Sequence, residues 1–199
     1  RRYLYQQCIG APETIFENVY KVAPGEIVKF GGGKTQKWKY WDIATIYHKK
    51  KQEKAGTYQE AKEALKRLLQ DSVEKRMIAD VPVGTFLSGG YDSSLVTALA
   101  QQASIEPVRT YSIGFQEERY NEARYAKKVA KYLGTKHTEL YIDEDAMFQM
   151  VESIPQYYDE PFADSSQIPS MLVSQLAAKD VTVVLSGDGG DEFFCGYNV

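Results

Sequence analysis

A segment rich in serine and glycine, residues 88–94, has the residue types that hold phosphate. It reads Ser88-Gly89-Gly90-Tyr91-Asp92-Ser93-Ser94 and connects a predicted strand ending at Leu87 to a predicted helix. Adjacent glycines allow a tight turn with free N–H groups, serine hydroxyls add donors, and a helix N-terminus carries partial positive charge. Because Asp92 would repel phosphate unless a cation offset its charge, it points to Mg²⁺. A capped turn without a ligand is the alternative, and the strand-to-helix context favours the phosphate site.

A second segment, residues 186–192, combines glycine with carboxylates. It reads Ser186-Gly187-Asp188-Gly189-Gly190-Asp191-Glu192 and follows a predicted strand over 181–185. Taken alone, it is equally compatible with an acidic surface turn. In a parallel sheet, however, ligands bind at the carboxyl ends of the strands, so the two segments would face each other there. We therefore interpret the second segment as the other half of one site, with carboxylates that complete a metal site at a pyrophosphate.

The elements that must position these segments alternate between strand and helix. Thr57 and Glu60 form a capping box, and apolar residues then recur every four positions as far as Met77. Further helices are predicted over 92–103, 121–133 (ended by Gly134), 143–154 (ended by Pro155) and 165–178, and strands over 81–87, 108–115, 137–142 and 181–185. This alternation predicts an α/β fold with a mainly parallel sheet and helices on both faces.

The first 56 residues are predicted to be a lead-in with a β-hairpin. Residues 18–30 carry two apolar runs around Ala23-Pro24-Gly25-Glu26, where Pro-Gly suits a type II turn. The aromatic run at 38–41 predicts one more strand, and the lysine-rich residues 49–54 a solvated loop. The tyrosines and phenylalanines, scattered among apolar positions, are predicted to be core residues.

Composition excludes several classes of function. The chain has 199 residues and a net charge of −3, so it offers no general attraction to nucleic acid or to an anionic membrane. Its longest apolar runs are far shorter than the ~20 residues that span a bilayer. Cys8 and Cys195 form neither a disulfide framework nor a thiolate zinc site, which fits a cytoplasmic location. With only His48 and His137, a histidine metal cluster is excluded, and His137 is predicted to be a structural strand residue.

Four ordered motifs carry a family resemblance. Residues 86–94, Phe-Leu-Ser-Gly-Gly-Tyr-Asp-Ser-Ser, resemble the pyrophosphate loop (PP-loop) of the N-type ATP pyrophosphatases, whose fold is adenine nucleotide alpha hydrolase-like. Tyr-Ser-Ile-Gly-Phe at 111–115, Tyr-Asn-Glu-Ala at 120–123, and Leu-Ser-Gly-Asp-Gly-Gly-Asp-Glu at 185–192 with Gly196-Tyr197 follow in order. Together they resemble the synthetase domain of glutamine-hydrolysing asparagine synthetases, and residues 12–25 are similar to the family's linker.

The resemblance implies a carbon–nitrogen ligase that uses ATP and Mg²⁺. The side-chain carboxylate of aspartate would attack the α-phosphorus of ATP and release pyrophosphate, and ammonia would then displace AMP to give asparagine. Asp92 and Asp191 would hold Mg²⁺, and Asp188 would orient the acyl-adenylate or ammonia. The implied pyrophosphate contacts are Ser88, Gly89, Gly90, Ser93 and Ser94, and the implied adenosine contacts are Leu87, Ile113, Ser186 and Gly187.

The same resemblance implies a domain plan and leaves alternatives open. Residues 1–56 would be a linker and hairpin from a missing N-terminal glutaminase domain, the source of ammonia, and 57–199 a synthetase domain truncated at its C-terminal end. Asp188 stands where asparagine-specific members commonly have Glu, so another acceptor, such as a uronic-acid sugar, is the alternative substrate. A nucleotide-binding module without turnover is a third reading. The oligomeric state is left open, with a homodimer as one alternative. Cys195, where glycine is common, is predicted to be buried.

Overall fold

A computed structural model describes residues 2–51, 56–115 and 121–197. The chain forms two compact units, an N-terminal unit (Arg1–Ala61 with Ser153–Ser165) and a core unit (Lys62–Glu152 with Ser166–Val199). The strands are β1 (Glu26–Gly31), β2 (Lys34–Lys39), β3 (Val83–Phe86), β4 (Arg109–Phe115), β5 (Lys136–Ile142) and β6 (Val183–Leu185). The helices are α1 (Arg2–Gln6), α2 (Ile43–Lys50), α3 (Tyr58–Met77), α4 (Tyr91–Gln102), α5 (Ala123–Leu133), α6 (Glu144–Val151), α7 (Ile154–Tyr157), α8 (Gln167–Ala177) and α9 (Gly190–Phe194).

The core unit is built on a four-stranded parallel sheet in the order β5-β4-β3-β6. The chain moves outward from β3 to β4 and β5 and then returns to the other side of β3 as β6. This reversal creates a topological switch point between β3 and β6, which is where open α/β sheets bind their ligands. The predicted α/β class with a mainly parallel sheet is confirmed.

Helices cover both faces of this sheet because successive side chains of a strand point to opposite faces. On one face, the fully buried Thr85 of β3 meets Thr97 of α4, with their hydroxyl oxygens 2.9 Å apart. On the other, Phe86 and the buried Tyr111 pack with Leu176 of α8 and with Val181. Tyr111 is the one aromatic side chain in the buried core of the described residues, so the prediction that the aromatic residues are mostly core is wrong.

The helix boundary at Thr57 is confirmed. The Thr57 N–H donates to Glu60 Oε2 at 2.7 Å, and the Glu60 N–H donates to Thr57 Oγ1 at 3.3 Å, which is a capping box. At the end of α5, Gly134 adopts a left-handed conformation with φ of 72°, as its predicted role as a helix stop requires.

The N-terminal unit contains a hairpin, displaced from the predicted one. β1 pairs with β2 in antiparallel register, and Gly32 and Gly33, with φ of 57° and 70°, form the turn. Two consecutive residues with positive φ match the twist of a hairpin, which favours these glycines over Pro24-Gly25 as the connection. Residues 19–22 are not a strand, although Ala23–Glu26 does close a turn, with the Glu26 N–H donating to the Ala23 carbonyl at 3.0 Å.

Two further local predictions are wrong. Lys49 and Lys50 end α2, whose first turn is capped by the Asp42 carboxylate, and residues 52–55 of the predicted loop lie outside the described residues. Pro155 lies in the first turn of α7, where its missing N–H costs no hydrogen bond. No helix among the described residues is both long and apolar enough to cross a bilayer.

Candidate active site

Residues 88–94, here called the serine loop, and residues 186–192, here called the acidic loop, leave neighbouring strand ends. Thr85 of β3 is in register with Leu185 of β6, the residue that ends β6. Both loops therefore begin at the same edge of the sheet, at the switch point. The predicted juxtaposition of the two loops is confirmed, whereas the ligand they hold stays a prediction.

Serine hydroxyls shape the serine loop. Ser88 Oγ and Ser93 Oγ are 2.9 Å apart, and the Ser88 N–H donates to Ser93 Oγ at 3.2 Å. The Gly90 N–H in turn donates to Ser88 Oγ at 3.3 Å. Ser94 Oγ is buried and has no hydrogen-bond partner within the described residues. A buried hydroxyl without a partner is costly in a folded protein, so a ligand oxygen at Ser94 would remove that cost.

Gly89 allows the serine loop to touch the start of α5. It has a φ of 88°, and a Cβ at this position would lie 2.6 Å from the Ala126 nitrogen and 2.7 Å from Tyr125 Cβ. A side chain here is therefore excluded both by conformation and by space. The loop backbone is pressed against the first turns of a second helix.

The acidic loop packs directly on Asp92. A Cβ at Gly187 would lie 2.8 Å from the Ser93 nitrogen and 3.1 Å from Asp92 Cβ, and a Cβ at Gly190 would collide with the Asp92 carboxyl group. Both glycines are thus required by close approach of the two loops rather than by a left-handed conformation. The contact brings a carboxylate of one loop against the backbone of the other.

Within the acidic loop, Asp188 is held by its neighbour. The Ser186 hydroxyl donates to Asp188 Oδ2 at 2.9 Å, and the Asp188 N–H donates to Ser186 Oγ at 3.4 Å. This local turn holds the side chains of Ser186 and Asp188, two of the predicted site residues, in contact. Gly189 completes the turn with a φ of 88°.

The chain that follows α9 contacts Asp191, which is half-buried. The Gly196 N–H donates to the Asp191 carbonyl at 3.1 Å, and a Cβ at Gly196 would collide with the Asp191 carboxylate. The Tyr197 hydroxyl donates to Glu192 Oε1 at 2.6 Å, which lowers the pKa of Glu192 and raises that of Tyr197 to about 12. Cys195 has a φ of 56° and is exposed, so its predicted burial is wrong. A left-handed residue at this helix end explains why glycine suits the position.

The donor set fits Mg²⁺ held jointly with substrate phosphates. The carboxylates of Asp92 and Asp191 accept no hydrogen bond from any residue the structure describes. Mg²⁺ is usually bound by one or two carboxylates together with phosphate oxygens and water. Within the described ranges, no group of three His, Cys, Asp or Glu side chains could hold a metal, so an all-protein metal cage does not fit.

A cleft of about 510 Å³ adjoins both loops. Its walls include Asp92 and most of the acidic loop, and α3 adds Ser72 and Arg76, which the sequence analysis missed. Arg76 Nη1 donates to the Ser72 carbonyl at 2.9 Å and to Ser72 Oγ at 2.7 Å. Because they are four residues apart, Ser72 and Arg76 lie on one helix face with Leu69 and Val73. In the sequence alone this spacing is typical of any amphipathic helix, so it does not indicate a site.

Two predicted adenosine contacts lie on the β3 and β4 side of the site. Leu87 is 1% exposed, and its N–H donates to the Tyr111 carbonyl at 2.9 Å. Its side chain packs with Ala126 and Ala130, so only its backbone remains for a ligand. Ile113 lies in β4, two residues beyond Tyr111, which is in register with Phe86.

This fold and this pair of loops define a class, a parallel α/β protein with two glycine-rich loops at the switch point of its sheet. Within that class, residues 64–199 match the asparagine synthase family. The match spans most of the chain, and the chain belongs to the asparagine synthase family.

Curated relatives include proteins named as asparagine synthetases and one named as an amidase. A Methanocaldococcus jannaschii protein named as a glutamine-hydrolysing asparagine synthetase is 42% identical over 195 residues, 95% of this chain and 36% of that protein. Asparagine synthetase 1 of Bacillus subtilis is 33% identical and is covered over 30% of its length. Amidase chry2 of Gibberella zeae is 30% identical over 93% of this chain. The chain thus spans about a third of the length of the relatives it matches.

Proposed function

We propose that this chain is the ATP-dependent synthetase part of an asparagine synthetase. A side-chain carboxylate oxygen of aspartate attacks the α-phosphorus of ATP, and the bond from that phosphorus to the bridging oxygen breaks to release pyrophosphate. Ammonia, produced by glutamine hydrolysis elsewhere in the protein, then attacks the acyl carbon, loses a proton and displaces AMP. The observation that carries the proposal is the packing of the acidic loop onto Asp92 beside the serine loop.

The residues of the two loops have separate tasks in this reaction. The backbone N–H groups around Gly89 and Gly90 and the Ser94 hydroxyl bind phosphate oxygens, which stabilises charge on the leaving pyrophosphate. Asp92 and Asp191 would hold Mg²⁺, which, when bound, neutralises phosphate charge. Asp188, held by Ser186, orients the adenylated acceptor or ammonia. Holding acceptor and ATP in line removes the entropic cost of bringing them together.

Exchange of labelled pyrophosphate into ATP tests the first half-reaction. We expect exchange that depends on aspartate and Mg²⁺, followed by release of AMP when ammonia is added, measured with this chain and with any longer protein that contains it. ATP binding without exchange in both would support a nucleotide-binding module instead. Exchange that is independent of aspartate would contradict the acceptor assignment.

A different carboxylate acceptor is the second candidate. Asp188 is shorter than the Glu common in asparagine-specific members, and the amidase-named relative indicates that not all members carry the synthetase name. Exchange assays with aspartate, glutamate and a uronic acid in parallel separate the two. An Asp188→Glu variant should shift preference toward aspartate if this side chain selects the acceptor.

A larger acceptor pocket lined by residues 158–170 would favour this second candidate. Tyr158 and Phe162 line a cavity of about 670 Å³ in the N-terminal unit, together with an ion pair between Lys21 and Glu160. Glu160 Oε1 also accepts the Ile15 N–H at 3.2 Å. That bonding lowers the pKa of Glu160, with the Lys21 hydrogen bond as the largest cause.

A further inference from the structure

The helix turn that touches the serine loop carries a cationic side chain. Gly89 approaches Tyr125 and Ala126 so closely that a Cβ would lie within 2.8 Å of both residues. Arg124 precedes them in the first turn of α5. The guanidinium is therefore carried by the helix turn that touches the loop.

Arg124 is held on the ring of its neighbour. Its guanidinium carbon lies 4.8 Å from the Tyr125 ring centroid, and Nη2 donates to the Tyr125 hydroxyl oxygen at 2.9 Å. Lys128 Nζ lies 5.9 Å from the same centroid. No carboxylate forms an ion pair with Arg124 in the described part of the chain. Among the described residues, the aromatic ring thus restrains a positive charge that has no ion-pair partner, and it leaves most of the five N–H donors of Arg124 available.

Helix stability does not account for this charge. The N-terminus of a helix is its positive end, where anions stabilise and cations destabilise. The first turn of α5 contains no acidic residue, and Glu122, which precedes it, makes no side-chain capping bond. An arginine in this turn therefore adds positive charge to an end that is already positive, an arrangement that favours a bound anion.

We propose that Arg124, restrained by Tyr125, binds the terminal phosphates of ATP and the pyrophosphate that leaves, with Lys128 as a weaker contributor. This assignment rests on the proposed function. Asp92 packs against the acidic loop, which carries Asp188 and Asp191, so a negatively charged pyrophosphate at the serine loop needs positive charge from other residues. Arginine suits that task because its planar fork binds phosphate oxygens in pairs.

Titration calorimetry with inorganic pyrophosphate in the presence of Mg²⁺ tests the assignment. Arg124→Ala should weaken binding about tenfold or more, the range for losing a hydrogen bond to a charged group. Arg124→Lys should restore part of the affinity, and Tyr125→Phe, which keeps the ring and removes the hydroxyl, should lose less than Arg124→Ala. The matched control is Lys131→Ala, which removes the same charge from α5 about 10 Å further along the helix and should leave affinity within about twofold.

Two readouts separate a ligand contact from a structural role. Arg124→Ala should leave the melting temperature of the free protein unchanged or higher, because it relieves repulsion at the helix end. It should also flatten the dependence of pyrophosphate affinity on salt. Equal losses in Arg124→Ala and Lys131→Ala would overturn the assignment, because they would reflect the net charge of α5 only.

A serine-loop variant distinguishes this inference from the proposed function. Suppose that the unmodified chain binds pyrophosphate and that Ser88→Ala weakens this binding whereas Arg124→Ala does not. The phosphate site is then supported, and the Arg124 assignment is overturned. If the unmodified chain binds no pyrophosphate, both are overturned. Weakening by Ser88→Ala and by Arg124→Ala, with Lys131→Ala unaffected, supports both.

Discussion

The serine loop and the acidic loop share a composition of serine, glycine and aspartate, yet they are supported differently. The serine loop follows a strand in which Thr85 is fully buried and includes the first turn of the 12-residue α4, which contributes Leu99 and Ala100 to the core. The acidic loop follows the three-residue β6, whose Val183 is 40% exposed, and includes the start of the five-residue α9, which has no buried residue. The serine loop is therefore positioned by its own scaffold, whereas the acidic loop takes its position from contact with Asp92.

Removing the carboxylate that joins the loops has the largest expected effect. Asp92→Asn keeps the shape of the side chain but removes its charge, and we expect at least a hundredfold loss in aspartate-dependent AMP formation because the proposed metal ligand is lost. The melting temperature should change little, since Asp92 accepts no hydrogen bond from the described residues. Full activity in this variant would contradict the metal role of Asp92.

Separating the loops while keeping every charge comes next. In Gly187→Ala, the new methyl group would lie 2.8 Å from the Ser93 nitrogen, so the loops must move apart, at a cost of about 1–3 kcal/mol. We expect weaker ATP binding by calorimetry, on the order of tenfold.

Gly189→Ala is the matched control. Its φ of 88° strains any side chain, but the nearest atom is 3.9 Å from the added Cβ. It should lower the free energy of unfolding by about 1 kcal/mol and leave ATP affinity nearly unchanged. Equal loss of affinity in the two variants would show that strain within the acidic loop, not its contact with Asp92, determines binding.

The scaffold of the serine loop is tested through its buried threonine pair. Thr97→Val leaves the Thr85 hydroxyl buried without its partner, which should lower the free energy of unfolding by about 1–3 kcal/mol in a denaturant titration. The double variant Thr85→Val with Thr97→Val should lose less than the sum of the single losses, because no hydroxyl is then left unpaired. Additive losses would contradict a role for the hydrogen bond.

The smallest effect concerns the polar network between β4 and β5. His137 Nδ1 lies 2.8 Å from Thr110 Oγ1, and His137 Nε2 lies 3.4 Å from Glu139 Oε1. Glu139 also pairs with Lys127 through its other oxygen at 3.4 Å. Burial is the largest cause that lowers the pKa of His137, partly opposed by Glu139.

Stability should therefore fall as the pH drops below about 6.5, because the unfolded chain takes up a proton that the folded His137 resists. The slope cannot exceed about 1.4 kcal/mol per pH unit for one group. Denaturant titrations between pH 7.5 and 5.5 should show this slope in the unmodified chain and a flatter one in His137→Gln. A stability that rises toward pH 5.5 would contradict a lowered pKa.

Much of the fold was predictable from local pattern. The apolar spacing and capping box of α3, the glycine stop of α5 and the order of strands and helices in the core unit were predicted from residues within one or two turns of each other. The hairpin was placed too early because Pro24-Gly25 gives a strong turn signal, and the choice between it and Gly32-Gly33 depends on which strands pair.

The N-terminal unit shows the limit of hydrophobic pattern. It contains the apolar side chains from which a hairpin was predicted, yet none of its described residues is buried. Phe30, Tyr40 and Tyr20 are all more than two-thirds exposed. The periodicity of a sequence indicates which side chains share one face of a strand. Whether that face is buried depends on the elements that pack against it.

The sequence by itself determined the local pieces of the site: two glycine-rich loops, each after a strand, with serines, carboxylates and the motifs of an asparagine synthetase. Only the tertiary structure decided that Gly187 and Gly190 lie against Asp92, that Gly89 touches α5, and that Arg76 lines the cleft with Asp92 and the acidic loop. Each loop and the strand and helix beside it form through interactions between residues that are close in the sequence. The contacts between them follow from the strand order β5-β4-β3-β6, which places β6 next to β3 although α4, α5 and α8 separate the two strands in the sequence.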